Sequence, residues 1–465
     1  MFSELFKLCG FESGEIKNER SRIDEVFEIL EVGPEDIEIA KERIHKYFDI
    51  DLLGIRKVLG LWFRELIEMV LAKKDGKRIV YVSYPPVAEI AAALSLSSEN
   101  IYCSCPDVVL SNTLNLIFNK INPVLETAEK NGLSPGIAFC SYLQTRLGAI
   151  VKGIVPKPDL LIASSYLCDL TPAADQWLHE MFDIPVLYVD NVFDVGGEDW
   201  PQIEERKAVY LATEMSEAVE HTKKLLGCDL SENHIKKAIS LRNSLDSALG
   251  EIRRLGQTDP LLLKYNSYKI ANELAASCIG AGLRKGEETL RILHEELEKK
   301  VQIGASALKK GVPRVIVTML PYNPELTDVI ENLGLAIVGS AALALPGGNP
   351  TPPSKFLFRQ LAEDLMKWRG ANYSSWAYIV HLKELAKRLG VDGLIFWYHY
   401  SCRQYSILSL KAKEVIENEL GIPVLLLEGD YCDSRSRTTD QMITKLETFA
   451  EVVGLRGKNE LLRRC

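Results

Sequence analysis

Between Gly393 and Arg435 the chain reads GLIFWYHYSCRQYSILSLKAKEVIENELGIPVLLLEGDYCDSR. An apolar run, Leu394 to Trp397, leads to Cys402. A helical stretch follows, then Gly421-Ile422-Pro423, and a second apolar run, Val424 to Leu427, leads to Cys432. This is a strand, a crossover helix and a strand, and only a parallel sheet with helices on its faces accommodates repeated units of this kind. Each predicted strand is followed by a thiol, at the end of the sheet where open α/β folds bind ligands.

The same alternation occurs twice. Residues 77–200 give strands at RIVYVSY (78–84), NIYCSC (100–105), GIAFCSY (136–142), DLLIASSYLCD (159–169) and PVLYVDN (185–191), with helical segments between them. Residues 306–465 give PRVIVTML (313–320), LAIVGSA (335–341), DGLIFWYHYSC (392–402) and IPVLLLEGD (422–430), closing on an amphipathic helix. Residues 1–76 and 201–305 carry apolar residues at three- and four-residue spacing and read as helical. The expected fold is therefore α/β, with two Rossmann- or flavodoxin-like parallel-sheet domains facing a cleft, plus helical N-terminal and middle segments. PVLYVDN and PVLLLEGD echo each other, which points to an internal duplication. LALPGGNPTPPS (343–354) reads as an exposed loop or lid.

A chain of 465 residues is long for a single core. Its net charge of −9 argues against a broad nucleic-acid surface. No apolar run approaches the ~20 residues of a membrane span, and the start, MFSELFKLCGFESGE, lacks the pattern of a secretory signal, so a cytoplasmic location is expected. No Walker A sequence, GxGxxG after a strand, GxSxG or HExxH is present. ATP hydrolysis and dinucleotide binding are not expected of this chain.

There are ten cysteines. Six of them, Cys103, Cys105, Cys140, Cys168, Cys402 and Cys432, fall at predicted strand carboxyl ends. Cys103 and Cys105, two apart on one strand, are expected to point the same way. The spacing is neither that of a zinc ribbon nor that of a ferredoxin, but soft thiolates converging from several loops suit an iron–sulfur cluster. Three thiolates on a four-iron cubane leave one iron open. Among other polar residues, His399 is a candidate proton donor or a partly buried structural histidine. Glu89 is a candidate acid/base or a helix N-terminal carboxylate, and Ser83 a candidate substrate or sulfide partner or a strand-end cap. Arg403 and Arg435 flank cysteines, where they would favour a reduced cluster or pair with Asp430 or Asp433.

Four short elements, in order, resemble the 2-hydroxyacyl-CoA dehydratase and benzoyl-CoA reductase family. They are Cys140-Ser141-Tyr142 with Arg146 and Gly148; Pro158-Asp159-Leu160-Leu161-Ile162 leading to Cys168-Asp169; His399-Tyr400-Ser401-Cys402-Arg403-Gln404; and Glu428-Gly429-Asp430-Tyr431 with Asp433 and Arg435. YPPVAEI resembles the family's early Pro-x-Glu element. The resemblance implies a [4Fe-4S] cluster held between two domains by Cys140, Cys168 and Cys402. It also implies a separate iron–sulfur ATPase, the activator, that delivers low-potential electrons. Cys103, Cys105 and Cys432 are additional to that pattern, and six thiols resemble the double-cubane branch, with an [8Fe-9S] cluster, homodimers and reduction of small unsaturated molecules. The expectation is thus an iron–sulfur reductase. The alternatives are one subunit of an acyl-CoA dehydratase or reductase, heterodimeric with a related chain, and a non-enzymatic cluster carrier.

Overall fold

A computed structural model of the chain describes residues 2–83, 88–134, 139–165, 168, 170–190, 204–277, 279–318, 322–340, 356–369, 375–436 and 439–464. Its eight described strands form two separate four-stranded parallel sheets. Strands β1 (Arg78–Val82), β2 (Ile101–Ser104), β3 (Leu160–Ser164) and β4 (Val186–Val189) make the first, in the order β2-β1-β3-β4. Strands β5 (Arg314–Val317), β6 (Ala336–Ser340), β7 (Gly393–His399) and β8 (Val424–Gly429) make the second, in the order β6-β5-β7-β8. The two halves thus repeat one strand order. In each, the chain leaves the first strand toward one edge and returns on its other side, which opens a crevice at the carboxyl ends. Within the second sheet β7 and β8 pair from Leu394↔Val424 to His399↔Gly429, so both strands end level.

Alternation along the strands assigns the faces of the second sheet. Val315, Val317, Ile395, Trp397 and Leu427 join a core continuous with the first half and the N-terminal helices. Ile316, Leu394, Phe396 and Val424 join a second core under helices Ser375–Leu389 and Arg403–Leu420. Helices lie from Ser3 to Leu71, with Leu53–Leu71 buried along most of its length, and again from Glu205 to Ile303. Among the described residues no helix is long and apolar enough to cross a membrane.

Of the expected strand 136–142, residues 136–138 lie outside those described, Phe139 makes a lone bridge and Ser141 opens a helix that runs to Lys152. The apolar residues after Cys140 (Leu143, Leu147, Ile150) recur at helical spacing, which carries Ser141 and Tyr142 into the helix. The stretch LALPGGNPTPPS (343–354), Tyr84, Cys278, Cys465 and the Arg403 side chain lie outside what is described.

Helix Ser141–Lys152 packs closely on helix Asn122–Lys130. A Cβ at Gly148 would lie 2.1 Å from the Val124 carbonyl oxygen, which is backbone and has no room to yield. Gly148→Ala is therefore expected to destabilise the protein by about 2 kcal/mol or more, read as a lower midpoint in urea denaturation.

Candidate functional site

Three cysteines stand at or just before the starts of three helices. Cys140 has extended backbone and is the N-cap of helix Ser141–Lys152; its carbonyl accepts from Gln144 N–H at 3.0 Å. Cys402 is the N-cap of helix Arg403–Leu420; its carbonyl accepts from Ser406 N–H at 2.9 Å, and its own N–H donates to the His399 carbonyl at 3.0 Å. Cys168 lies two residues before helix Leu170–Phe182, and its sulfur is 3.2 Å from Thr171 Oγ1. The Cys140 thiol is within electrostatic reach of both Cys168 and Cys402. Each helix N-terminus contributes unpaired N–H groups and the positive end of a dipole, so the local field at this crevice favours negative charge. Burial, with the neighbouring Cys168 and Cys402, pushes the Cys140 thiol well above its ordinary value. The sulfur therefore keeps its proton until something replaces it.

A single carboxylate joins the parts that carry these thiols. Asp430 follows β8. Its Oδ1 accepts from Ser141 Oγ, from Cys432 N–H at 2.9 Å and from Asp433 N–H at 2.8 Å. Its Oδ2 accepts from His399 Nε2 at 2.6 Å. The tautomer follows from the other ring nitrogen, since Nδ1 accepts from Ser401 N–H at 2.9 Å, which leaves the proton on Nε2. Burial works to raise the Asp430 carboxyl, but His399, Ser141 and the Asp433 N–H hold it below the ordinary aspartate value. His399 is fully buried and lies between the rings of Tyr400 and Tyr431, at 4.6 and 5.1 Å. Both its ring nitrogens are hydrogen-bonded, and its carbonyl accepts from Cys402 N–H, so it ties the Cys402 turn to Asp430.

The other singled-out residues are distributed around this point. The Cys432 thiol sits among the hydroxyls of Ser111 (3.5 Å), Thr145 and Ser141, and burial, only partly offset by them, pushes it up to about 12. Cys105 lies past the end of β2 as the N-cap of helix Pro106–Leu110, within electrostatic reach of Tyr142, Arg146 and Tyr322. Cys103 is inside β2 and fully buried, with its thiol on Ser95 and near Cys228. The two thiols do not share one set of neighbours, because the strand ends at Ser104 and its period of two ends with it. Ser83 Oγ donates to Asp175 at 2.8 Å and accepts from Arg146 at 3.4 Å. That guanidinium is fully buried between Asp107 (3.3 Å) and Asp175 (2.8 Å). Glu89, in the first turn of helix Ala88–Ser97, pairs with Arg242 at 2.9 Å. Arg435 pairs with Asp433 at 2.9 Å and with Glu129.

Sequence reasoning placed Asp430 as a candidate arginine partner and Ser141 within a motif, and foresaw neither their hydrogen bond nor the aromatic wall. Tyr142 stacks on Tyr322 (5.9 Å, 18°), and Tyr431 meets the edge of Trp397 at 5.2 Å. Behind Tyr322, helix Tyr265–Ser277 places a buried Lys269 3.2 Å from Glu273. The available signal was an ion pair at i,i+4 on a helix otherwise surrounded by core.

Asp430→Ala would leave His399, Ser141 and two backbone N–H groups without their acceptor, at an expected cost of about 3–5 kcal/mol at neutral pH. The folded-state carboxyl titrates below its unfolded counterpart, so its contribution is present above about pH 4 and is lost as pH falls through the depressed value. Urea denaturation across pH should show the two proteins converging in stability on acidification.

Over residues 82–453 the sequence matches the family described as 2-hydroxyglutaryl-CoA dehydratase, D-component. It is 22% identical over 350 residues to the (R)-2-hydroxyisocaproyl-CoA dehydratase alpha subunit of Clostridioides difficile, covering 72% of this chain and 81% of that one. It is 21% identical over 305 residues to subunit alpha of (R)-2-hydroxyglutaryl-CoA dehydratase from Acidaminococcus fermentans, covering 64% and 61%. It is 22% identical over 353 residues to the lactoyl-CoA dehydratase alpha subunit of Anaerotignum propionicum, covering 71% and 81%. With four-fifths of its length matched, this chain belongs to the 2-hydroxyglutaryl-CoA dehydratase D-component family.

Proposed function

We propose that the chain is an iron–sulfur subunit of a 2-hydroxyacyl-CoA dehydratase system, holding one [4Fe-4S] cluster on Cys140, Cys168 and Cys402. The observation that carries this reading is the placement of those three thiols at or just before three helix N-termini, with Cys140 within electrostatic reach of the other two. The donor chemistry fits. Soft sulfur ligands on an electropositive frame suit a cluster that gains negative charge on reduction. His399 offers no fourth ligand, because both its ring nitrogens are engaged. When bound, a cluster with three thiolate ligands supplies one-electron chemistry at an open iron.

The chain's own residues supply the frame. Asp430 and His399 set the distance between the Cys140 and Cys402 segments. Tyr142, Tyr322 and Tyr431 wall the crevice from water and lower its effective dielectric. No phosphate-cradling loop is present in the sequence, so ATP is hydrolysed on a separate activator that delivers electrons here. The alpha-subunit names of the relatives support pairing with a related second chain.

A second reading, the homodimeric double-cubane reductase of small unsaturated molecules, is favoured by one observation: Cys105 and Cys432 both lie within reach of Tyr322, beside the three-thiol set. The position of Cys103 against Ser95 and Cys228 weighs against a six-cysteine set. Iron and acid-labile sulfide analysis of anaerobically purified protein separates the two. The first reading expects about four irons per chain, unchanged in Cys103→Ser and lost in Cys140→Ala, Cys168→Ala or Cys402→Ala. About eight irons, falling in Cys103→Ser, would establish the second. Dehydration of a 2-hydroxyacyl-CoA with activator, ATP and reductant, abolished in Cys402→Ala, excludes a passive carrier.

A further inference from the structure

We propose that the Lys269–Glu273 pair is a charge-balancing device for the thiol crevice, with the Lys269 ammonium favouring the reduced, more negative state of the group the thiols hold; this rests on the iron–sulfur reading above. Both side chains belong to helix Tyr265–Ser277 and are essentially sealed from solvent, at 0% and 5% side-chain exposure. Lys269 Nζ is 3.2 Å from Glu273 Oε2 and 3.7 Å from the centroid of the Tyr322 ring. That ring stacks on Tyr142, two residues past Cys140. The Tyr322 N–H donates to the Tyr431 carbonyl at 3.1 Å, one residue before Cys432. The ammonium is felt electrostatically at Cys432 itself. One aromatic layer therefore separates a fixed cation from the crevice.

A buried ion pair costs desolvation that well-packed apolar residues avoid, so stability alone is a weak reason for its place. The buried amides and hydroxyl of the same helix, Asn266, Ser267 and Asn272, are neutral, and Lys269 and Glu273 are its buried charges. Charge accounting supplies another reason. The other buried cation beside the crevice, Arg146, faces two carboxylates, Asp107 and Asp175, and that cluster is net negative. Asp430 adds a further negative charge at the thiols. Each one-electron reduction places another unit of negative charge there without breaking a bond, and in a site of low effective dielectric that charge is opposed by the carboxylates and favoured by Lys269. Glu273 holds the ammonium in place and moderates it.

The test is an anaerobic redox titration of the full chain, loaded with iron and sulfide, poised with dithionite and followed by EPR. Lys269→Met is expected to move the midpoint to more negative potential at unchanged iron content. Lys269→Arg should stay near wild type, and Glu273→Gln should move the midpoint to more positive potential. A purely packing role would move the unfolding midpoint and leave the potential where it was. An unshifted Lys269→Met midpoint overturns the proposal. Should that variant not fold, a Glu273→Gln midpoint that fails to rise overturns it instead. Wild-type protein that takes up no iron overturns the iron–sulfur reading, a failure distinct from an unmoved potential.

Discussion

The architecture of the crevice depends on one buried carboxylate. Asp430 accepts from a side chain of the first half, Ser141, from a side chain of the second, His399, and from the backbone of its own loop at Cys432 and Asp433. An ionised carboxylate away from water is tolerated only when its lone pairs are filled, and here both oxygens are. The same geometry that keeps the charge buried fixes the segments on which Cys140 and Cys402 stand. The clasp thus couples the packing of two separate sheets to the spacing of a ligand set.

The three thiols also share a local device. Each begins, or nearly begins, a helix, so each sulfur sits where a helix leaves N–H groups unpaired. Burial opposes ionisation, as at Cys140, while the helix ends favour it. In general a metal bound by a thiol takes the place of its proton, so binding of that kind releases protons. Folding can in this way prepare a site for negative charge without carrying that charge beforehand.

Much of this was legible in the residues. Strand runs flanked by helical spacing gave two parallel sheets, and β7 and β8 fall where the apolar runs ending at Trp397 and Leu427 placed them. At Ser141 and Tyr142 the expected strand gives way to helix, because the helical period that follows Cys140 starts there. Cys103 lies within β2 and Cys105 beyond its end, so strand alternation does not govern both. The Asp430 clasp was not legible, since its partners at 141 and 399 are remote in sequence and nothing local marks them as neighbours. The Asp430 partner of His399 was hidden in the same way, so the sequence left that histidine between proton donor and structural residue.

The three cysteines are divided unevenly along the polypeptide. Cys140 and Cys168 belong to the first sheet's half, while Cys402 follows β7, near the end of the second. A ribosome synthesising this chain exposes two of the sulfurs long before the third exists. Halves fold roughly in the order they emerge, so the first can settle while its pair of thiols is still short of a partner. Anything that needs all three sulfurs is therefore deferred until translation is nearly finished.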